Sequence, residues 1–188
     1  MKKLLILLLL TANFSSFASR LLIVPECIED SKGDYSLTME KEGPWIYIRE
    51  CDNVTMMMRV EHYKNGILDG HWIKWDGTGK AAQGNYVNGN RDGEWIYSNK
   101  KEVYKNGVLL KMTKYHGLDY EDKWFEENYK DDKKDGQKNI WNRYGQIMLA
   151  ANFKDGKEDG KWTWYKNGQI EAEAIYKDGV CISGDCPD

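Results

Sequence analysis

The chain is poor in proline and histidine, with three of each among 188 residues. The three histidines, His62, His71 and His116, are scattered and show neither zinc-ligand spacing nor a nucleophile–base pattern. No Gly-x-Ser-x-Gly sequence is present. Seven of the sixteen aspartates stand directly before glycine, a pairing typical of turns rather than of paired catalytic carboxylates. We therefore expect no catalytic residue, no cofactor and no metal, and an uncharacterised hydrolase is kept only as an alternative.

The chain also lacks a stripe of basic residues. It carries 27 Lys and Arg against 30 Asp and Glu, a formal net charge of −3, with both signs interspersed throughout. A nucleic-acid-binding protein usually shows a concentrated basic surface. The sequence therefore predicts no nucleic-acid partner, and the mildly acidic, mixed surface mainly favours solubility.

One apolar stretch stands out in the sequence; it lies at the N-terminus and is short. Lys2 and Lys3 precede an apolar segment over 4–12, and Ser16-Phe17-Ala18 offers small residues before a cleavage point. Nine residues fall far below the roughly 20 that a membrane-spanning helix needs. We expect residues 1–18 to be a signal peptide, 19–34 to form an N-terminal cap, and the protein to be secreted or periplasmic without a transmembrane segment after cleavage.

Four cysteines, Cys27, Cys51, Cys181 and Cys186, suit an exported protein with disulfides. Three pairings are possible. We favour Cys27–Cys51 and Cys181–Cys186, because each pair then stays at one end of the chain, and residues 181–188 become a cysteine-bearing tail. Zinc binding is a weaker alternative, since no Cys-x-x-Cys pair exists.

A repeated phrase dominates the remainder of the sequence. Residues 63–66 read Tyr-Lys-Asn-Gly and residues 69–72 read Asp-Gly-His-Trp, and the same pattern returns over 86–95 and 153–162. In each copy the aromatic residue precedes the Trp by nine positions, and the spacing between units is about 23 residues. A fixed period of this length indicates a repeat architecture. We expect five or six units over 35–180, with the segment 104–139 out of phase.

Asn-Gly and Asp-Gly steps within the phrase are the residues that tight hairpin turns require. The glycines expected in turns are Gly66, Gly70, Gly89, Gly93, Gly156 and Gly160. Apolar residues between the turns recur with period two, which is typical of strands. A short helix over 121–130 is an alternative to a strand there. The pattern predicts an all-β fold, a twisted antiparallel meander of short hairpins.

These residues resemble the MORN-repeat variant family, whose units carry an aromatic residue, a Gly-bearing turn, a second Gly and then a Trp or another aromatic. The resemblance extends over 35–180. It implies an elongated, twisted antiparallel sheet of stacked β-hairpins, and some bacterial relatives in that family are labelled antitoxin-like.

The aromatic residues, with eight Trp and twelve Tyr, divide into two groups. Those that recur at one repeat position are expected to pack the sheet: Trp45, Trp72, Trp95 and Trp162. Those that differ between copies are candidate ligand contacts: Trp75, Tyr97, Trp164 and Tyr165. The sequence predicts a non-enzymatic scaffold that binds a protein of the cell envelope or exterior, with carbohydrate or cell-wall binding as the alternative.

Overall fold

The computed structural model describes residues 20–24, 41–51, 54–77 and 79–186, and all regular structure in them is β-strand. The predicted signal peptide and Cys27 lie outside these residues. The strands are β1 (Arg20–Val24), β2 (Gly43–Cys51), β3 (Val54–Lys64), β4 (Ile67–Leu68), β5 (Gly70–Asp76), β6 (Gly79–Val87), β7 (Asn90–Tyr97), β8 (Lys100–Lys105), β9 (Val108–Tyr115), β10 (Lys123–Lys130), β11 (Lys133–Trp141), β12 (Ile147–Lys154), β13 (Lys157–Glu158), β14 (Gly160–Lys166), β15 (Gln169–Lys177) and β16 (Val180–Gly184).

These strands form one open sheet in which sequence neighbours are also spatial neighbours. Each strand from β2 onward pairs antiparallel with the next, while the short β4 and β13 extend the pairing of β3 and β12. The prediction of an all-β sheet of stacked hairpins is confirmed. One pair departs from it, because β1 runs parallel to β2 with Arg20 opposite Trp45. Eighteen residues separate these two strands, enough for the crossover that parallel pairing needs.

The alternative of a short helix over 121–130 is wrong. β10 pairs with β9 on one side and β11 on the other, so its backbone groups are used in the sheet. No helix in the part of the chain that the structure describes is long and apolar enough to cross a membrane.

Six equivalent hairpin turns follow the repeat aromatic residues along one end of the sheet. Both central residues of each turn have positive φ, for example 49° at Asn65 and 75° at Gly66, as type I′ turns require. The turns are Asn65-Gly66, Asn88-Gly89, Asn106-Gly107, Asp131-Asp132, Asp155-Gly156 and Asp178-Gly179. The out-of-phase middle thus contains turns of the same kind at altered spacing. The nine-residue spacing from Tyr115 to Trp124 matches the repeated phrase and predicts a degenerate copy there. That prediction is wrong, since Tyr115 ends β9 and Gly117 lies in the loop at the opposite end of the strands.

The sequence predicts that the second glycine of the repeated phrase lies in a turn, but the structure places it in a strand. Gly70, Gly93 and Gly160 lie within β5, β7 and β14 rather than in hairpin turns. Their φ angles are 112°, 74° and 99°, in the region that favours glycine. A Cβ at Gly70 would stand 3.0 Å from the Cβ of His62. At Gly70 the absence of a Cβ therefore lets β5 lie close to His62, whereas nothing lies within 4 Å of a Cβ at Gly93.

The aspartate of the phrase joins successive units. The Asp69 carboxylate accepts a hydrogen bond of 3.0 Å from the backbone N–H of Asn88, in the next turn along the sheet. Asp92 accepts the equivalent bond from Asn106, also at 3.0 Å. The prediction that these Asp-Gly steps serve only as turns is therefore wrong, because the aspartate carboxylates bind the hairpin turn of the next unit. Each unit anchors the turn of its successor, which gives an array held together by nearest-neighbour contacts.

The core lies along one row of the sheet, two residues before each repeat aromatic. All six residues in this row are buried: Glu61, Gly84, Glu102, Glu127, Ala151 and Ala174. Three are small and allow a large neighbouring ring to lie against the backbone. The other three are carboxylates, and a buried carboxylate must be paired to be tolerated.

Candidate interaction surfaces

The recurring Trp residues lie in or beside this core. Trp95 is fully enclosed, with 0% of its surface exposed, and Trp45 retains 4%. The ring of Trp95 packs 5.4 Å from Trp72 and 5.0 Å from Tyr86, while its Nε1 donates to the carbonyl of Asn85 at 3.2 Å. Packing and a satisfied indole N–H together make Trp95 a structural residue.

Trp162 forms a second aromatic cluster at the other end of the array. It is half-buried, and its ring centroid lies 5.4 Å from Phe153, 5.0 Å from Tyr176 and 5.8 Å from Trp164. Its Nε1 donates to the carbonyl of Asn152, as Trp95 donates to Asn85. The indole N–H bond and the contact with the aromatic residue nine positions earlier therefore recur in both units.

The four candidate contact residues do not form one site. Trp75, Tyr97, Trp164 and Tyr165 lie on three strands, β5, β7 and β14, and all are half-buried. Trp164 belongs to the cluster around Trp162. The hydroxyl of Tyr97 is engaged by Arg91, whose Nη1 donates to it at 3.0 Å. Both residues therefore take part in contacts within the sheet.

Tyr97 is part of a polar network centred on the buried Glu102. Arg91 also donates to Tyr104 at 3.2 Å, Tyr104 donates to Glu102 at 2.9 Å, and the ammonium of Lys100 lies 2.7 Å from the same carboxylate. Burial raises the pKa values of Tyr97 and Tyr104, and their hydrogen bonds with Glu102 add to the effect. Burial alone would also raise the pKa of Glu102, but hydrogen bonds from Lys100, Tyr104 and Tyr97 outweigh it and lower that pKa.

An equivalent network occurs two hairpins earlier. Lys41 donates to the hydroxyls of Tyr47 and Tyr63, at 2.9 and 3.3 Å, and Tyr63 donates to Glu61 at 2.7 Å. Arg59 pairs with the same carboxylate at 2.8 Å. Burial raises the pKa of Tyr63, and the hydrogen bond to Glu61 raises it further. Because its members are already paired with one another, such a network serves packing.

Glu127 is the third carboxylate of the row and has two lysine partners. Lys134 lies 3.1 Å and Lys138 3.4 Å from its Oε2. These lysines outweigh burial and lower the pKa of Glu127. Burial and the neighbouring carboxylate raise the pKa of Tyr129 to about 12. Sequence reasoning missed all three sites, although the recurring Glu-x-Tyr before a hairpin at 61, 102 and 127 could have revealed them.

A shallow depression of about 390 Å³ lies at the opposite end of the strands, in the out-of-phase middle. Its lining residues come from the ends of β9 and β10 and from the neighbouring loops: Asn99, Lys114, Tyr115, His116, Trp124 and Arg143. The loop over 116–122 is closed by a 2.9 Å bond from the N–H of His116 to the carbonyl of Asp122. The His116 ring nitrogen Nε2 lies 3.3 Å from the carbonyl of Trp141. We refer to this feature as the central depression.

The central depression combines cations with an accessible aromatic ring. The ammonium of Lys114 stands 4.7 Å from the ring centroid of Trp124, which is 41% exposed. The ring of His116 lies on the same indole at 5.9 Å, tilted by 30°. None of the six lining residues is a carboxylate. The sequence marked the surrounding segment, 104–139, only as out of phase with the repeat.

The other distinctive surface is the C-terminal edge of the sheet, formed by β16. One side of β16 pairs with β15, and no strand in the described ranges pairs with the other side. Val180 and Ile182 are 62% and 60% exposed. The Cys181–Cys186 disulfide, with its Cα atoms 5.8 Å apart, closes the end of this strand. The companion prediction, Cys27–Cys51, falls outside the described residues at Cys27.

Across the described ranges, no group of three or more His, Cys, Asp or Glu side chains converges as a metal site. Comparison with models of known protein families gives no match. No curated protein shows significant sequence similarity to the chain. The central depression and the edge of β16 are the two candidate interaction surfaces of the described chain.

Proposed function

We propose that the protein is a non-enzymatic scaffold of the cell envelope or exterior, and that it binds a protein partner by strand addition at β16. A peptide that joins a sheet edge gains main-chain hydrogen bonds and places alternate side chains against the strand. The observation that carries the proposal is the open outer edge of β16 with two exposed apolar side chains.

The composition of β16 supports this role. Natural edge strands usually carry lysine, proline or another charge that discourages pairing with a second chain. β16 reads Val-Cys-Ile-Ser-Gly and has no charged residue, whereas each other described strand of five residues or more has at least one. An edge without such protection suits a strand that is meant to receive a partner.

The end of β16 is held in place before any partner arrives. The Asp185 carboxylate accepts a 3.0 Å bond from the N–H of Glu173, and the N–H of Asp185 donates to the Glu173 carbonyl at 2.7 Å. Together with the disulfide, these bonds fix the strand against β15. A pre-ordered edge lowers the entropy cost of binding.

The envelope location rests on the N-terminal sequence and the disulfide. The basic residues, apolar segment and small-residue cleavage pattern over 1–18 are typical of an export signal. Disulfides persist mainly in exported proteins.

The test is site-specific photo-crosslinking from Ser183, carried out in the envelope fraction of the native host, followed by identification of the adduct and affinity measurement with the purified partner. The double variant Val180→Lys and Ile182→Lys should weaken binding about tenfold or more, since both charges would stand at the pairing edge. Met148→Lys, at an apolar residue 48% exposed on the interior strand β12, is the matched control and should bind as wild type. Absence of any specific adduct, or full affinity in the double variant, would contradict the proposal.

A further inference from the structure

The central depression points to a second ligand class: we propose that it binds an acidic saccharide, through a sugar unit that bears a carboxylate. This inference is independent of the partner at β16, because the depression lies at the ends of β9 and β10 rather than at the sheet edge. Its volume of about 390 Å³ falls within the range of small-ligand sites.

Two cations that line the depression have no acidic partner in the described chain. Neither Lys114 nor Arg143 takes part in an ion pair with the rest of the described chain, and both line the depression. The nearby Lys123, by contrast, is committed to Glu126 at 3.0 Å. A guanidinium with free donors binds a carboxylate through two parallel hydrogen bonds.

The indole of Trp124 forms an aromatic wall of the depression. The indole of Trp124 has no counterpart at a repeat position, and it retains 41% exposure although it stands among other rings. It contacts Phe125 at 5.5 Å and His116 at 5.9 Å, which hold the ring in one orientation. A sugar ring presents C–H groups on one face, and a fixed, exposed aromatic ring offers an apolar surface for that face.

Hydrogen-bonding groups complete the site. The side-chain amide of Asn99 makes no hydrogen bond with other described residues, and it can both donate and accept. The ring of His116, placed by the carbonyl of Trp141, is the second polar group on the wall. Vicinal hydroxyls of a sugar match such paired donors and acceptors. Cations alone would suit any anion, whereas cations beside an indole and a free amide favour a saccharide.

Isothermal titration calorimetry of the full chain with trigalacturonate tests the inference, with methyl-esterified trigalacturonate as the neutral ligand of the same shape. We expect binding of the acid and at least about tenfold weaker binding of the ester. Arg143→Gln and Trp124→Ala should each weaken binding about tenfold, while Lys154→Gln, an exposed lysine on a distant hairpin, should leave it unchanged. Circular dichroism and thermal melting establish that each variant is folded.

Three results would overturn the inference. The first is the absence of heat with trigalacturonate at millimolar concentration. The second is equal binding of the ester, which would remove the role of the carboxylate. The third is equal binding of tri-aspartate, a peptide of the same charge, which would show a general anion surface and not a saccharide site. Loss of binding at β16 with retained trigalacturonate binding would leave the inference intact.

Discussion

The indole ring of Trp95 lies directly against the backbone of Gly84 on the neighbouring strand, so that a Cβ at position 84 would overlap the ring. Gly84 has no positive φ angle, and conformational freedom does not explain it. The glycine is required by the thickness of the indole. In the corresponding row, Ala151 and Ala174 are the small residues of later units.

Gly84→Ala should therefore destabilise the protein by about 1–3 kcal/mol, as overpacking of a well-filled core does. Gly77→Ala is the matched control, because nothing lies within 4 Å of a Cβ there and its φ is also not positive. The measurement is urea unfolding followed by far-UV circular dichroism. Equal free energies of unfolding for the two variants would mean that the ring and the backbone separate easily.

Trp95→Ala should cost about 3–5 kcal/mol, since it empties the largest fully buried position. Trp124→Ala removes the same side chain from a position that is 41% exposed and should cost about 1 kcal/mol or less. Both are measured by the same urea titration. A loss near zero at Trp95 would be incompatible with its packing role.

Glu102 should make stability depend on acid pH. Its pKa is lower in the folded protein than the usual 4.5, because hydrogen bonds from Lys100, Tyr104 and Tyr97 outweigh burial. A carboxyl of this kind stabilises the fold above its unfolded pKa, and the contribution is lost as pH falls through the folded value. The free energy of unfolding should decline below about pH 4.5.

Glu102→Gln should flatten that decline and cost about 2 kcal/mol at neutral pH, where the charged hydrogen bonds are lost. Glu94→Gln, on an exposed side chain, should retain the wild-type pH profile. Unfolding by urea at a series of pH values measures both effects. Identical profiles for the two variants would exclude a role for Glu102 in the pH dependence.

The Asp92–Asn106 bond should order the turn of the next unit. The N–H of Asn106 and the ammonium of Lys105 lower the pKa of the Asp92 carboxyl, so the carboxylate is bound there. Asp92→Ala should speed amide exchange at Asn106 and Gly107, with little change in distant turns. The control is Asp122→Ala, in the loop at the other end of the strands. Hydrogen exchange by NMR reports each turn separately, and an unchanged rate at Asn106 would contradict the link.

Replacement of Cys181 and Cys186 by serine should loosen the sheet from its C-terminal edge. Among the strands of the described ranges, β16 pairs with β15 alone, so its amides should lose protection while those of β7 and β8 keep theirs. Hydrogen exchange with mass spectrometry compares the segments. Uniform loss of protection along the sheet would show that the array unfolds as one unit.

The fold followed from the sequence because turn chemistry and periodicity agreed. Asn65-Gly66 and its equivalents specify type I′ turns, and short aromatic segments between them specify strands. The Cys181–Cys186 disulfide also followed, from a separation of five residues at one end of the chain. These features are local, and local chemistry can be read from a few adjacent residues.

Contacts between units could not be read in the same way. The bond from Asn106 to Asp92 spans fourteen residues, and nothing in an Asp-Gly pair distinguishes it from a turn. The parallel pairing of β1 with β2 joins two segments that are distant in sequence, and no local motif in either segment predicts it. In the central depression, His116, Trp124 and Arg143 come together from different strands and loops. The repeat pattern does not predict that these residues are close to one another.

Because each strand pairs with its neighbours in the sequence, the number of strands sets the distance between two surfaces of the sheet. The central depression and β16 belong to one sheet, and the strands between them are added in hairpins of two. Each hairpin widens a sheet by about 10 Å, twice the distance between adjacent strands. Insertion of one unit between β14 and β15 would leave both surfaces intact while changing how far apart their ligands are held. The number of repeats then sets a distance, in steps of one hairpin.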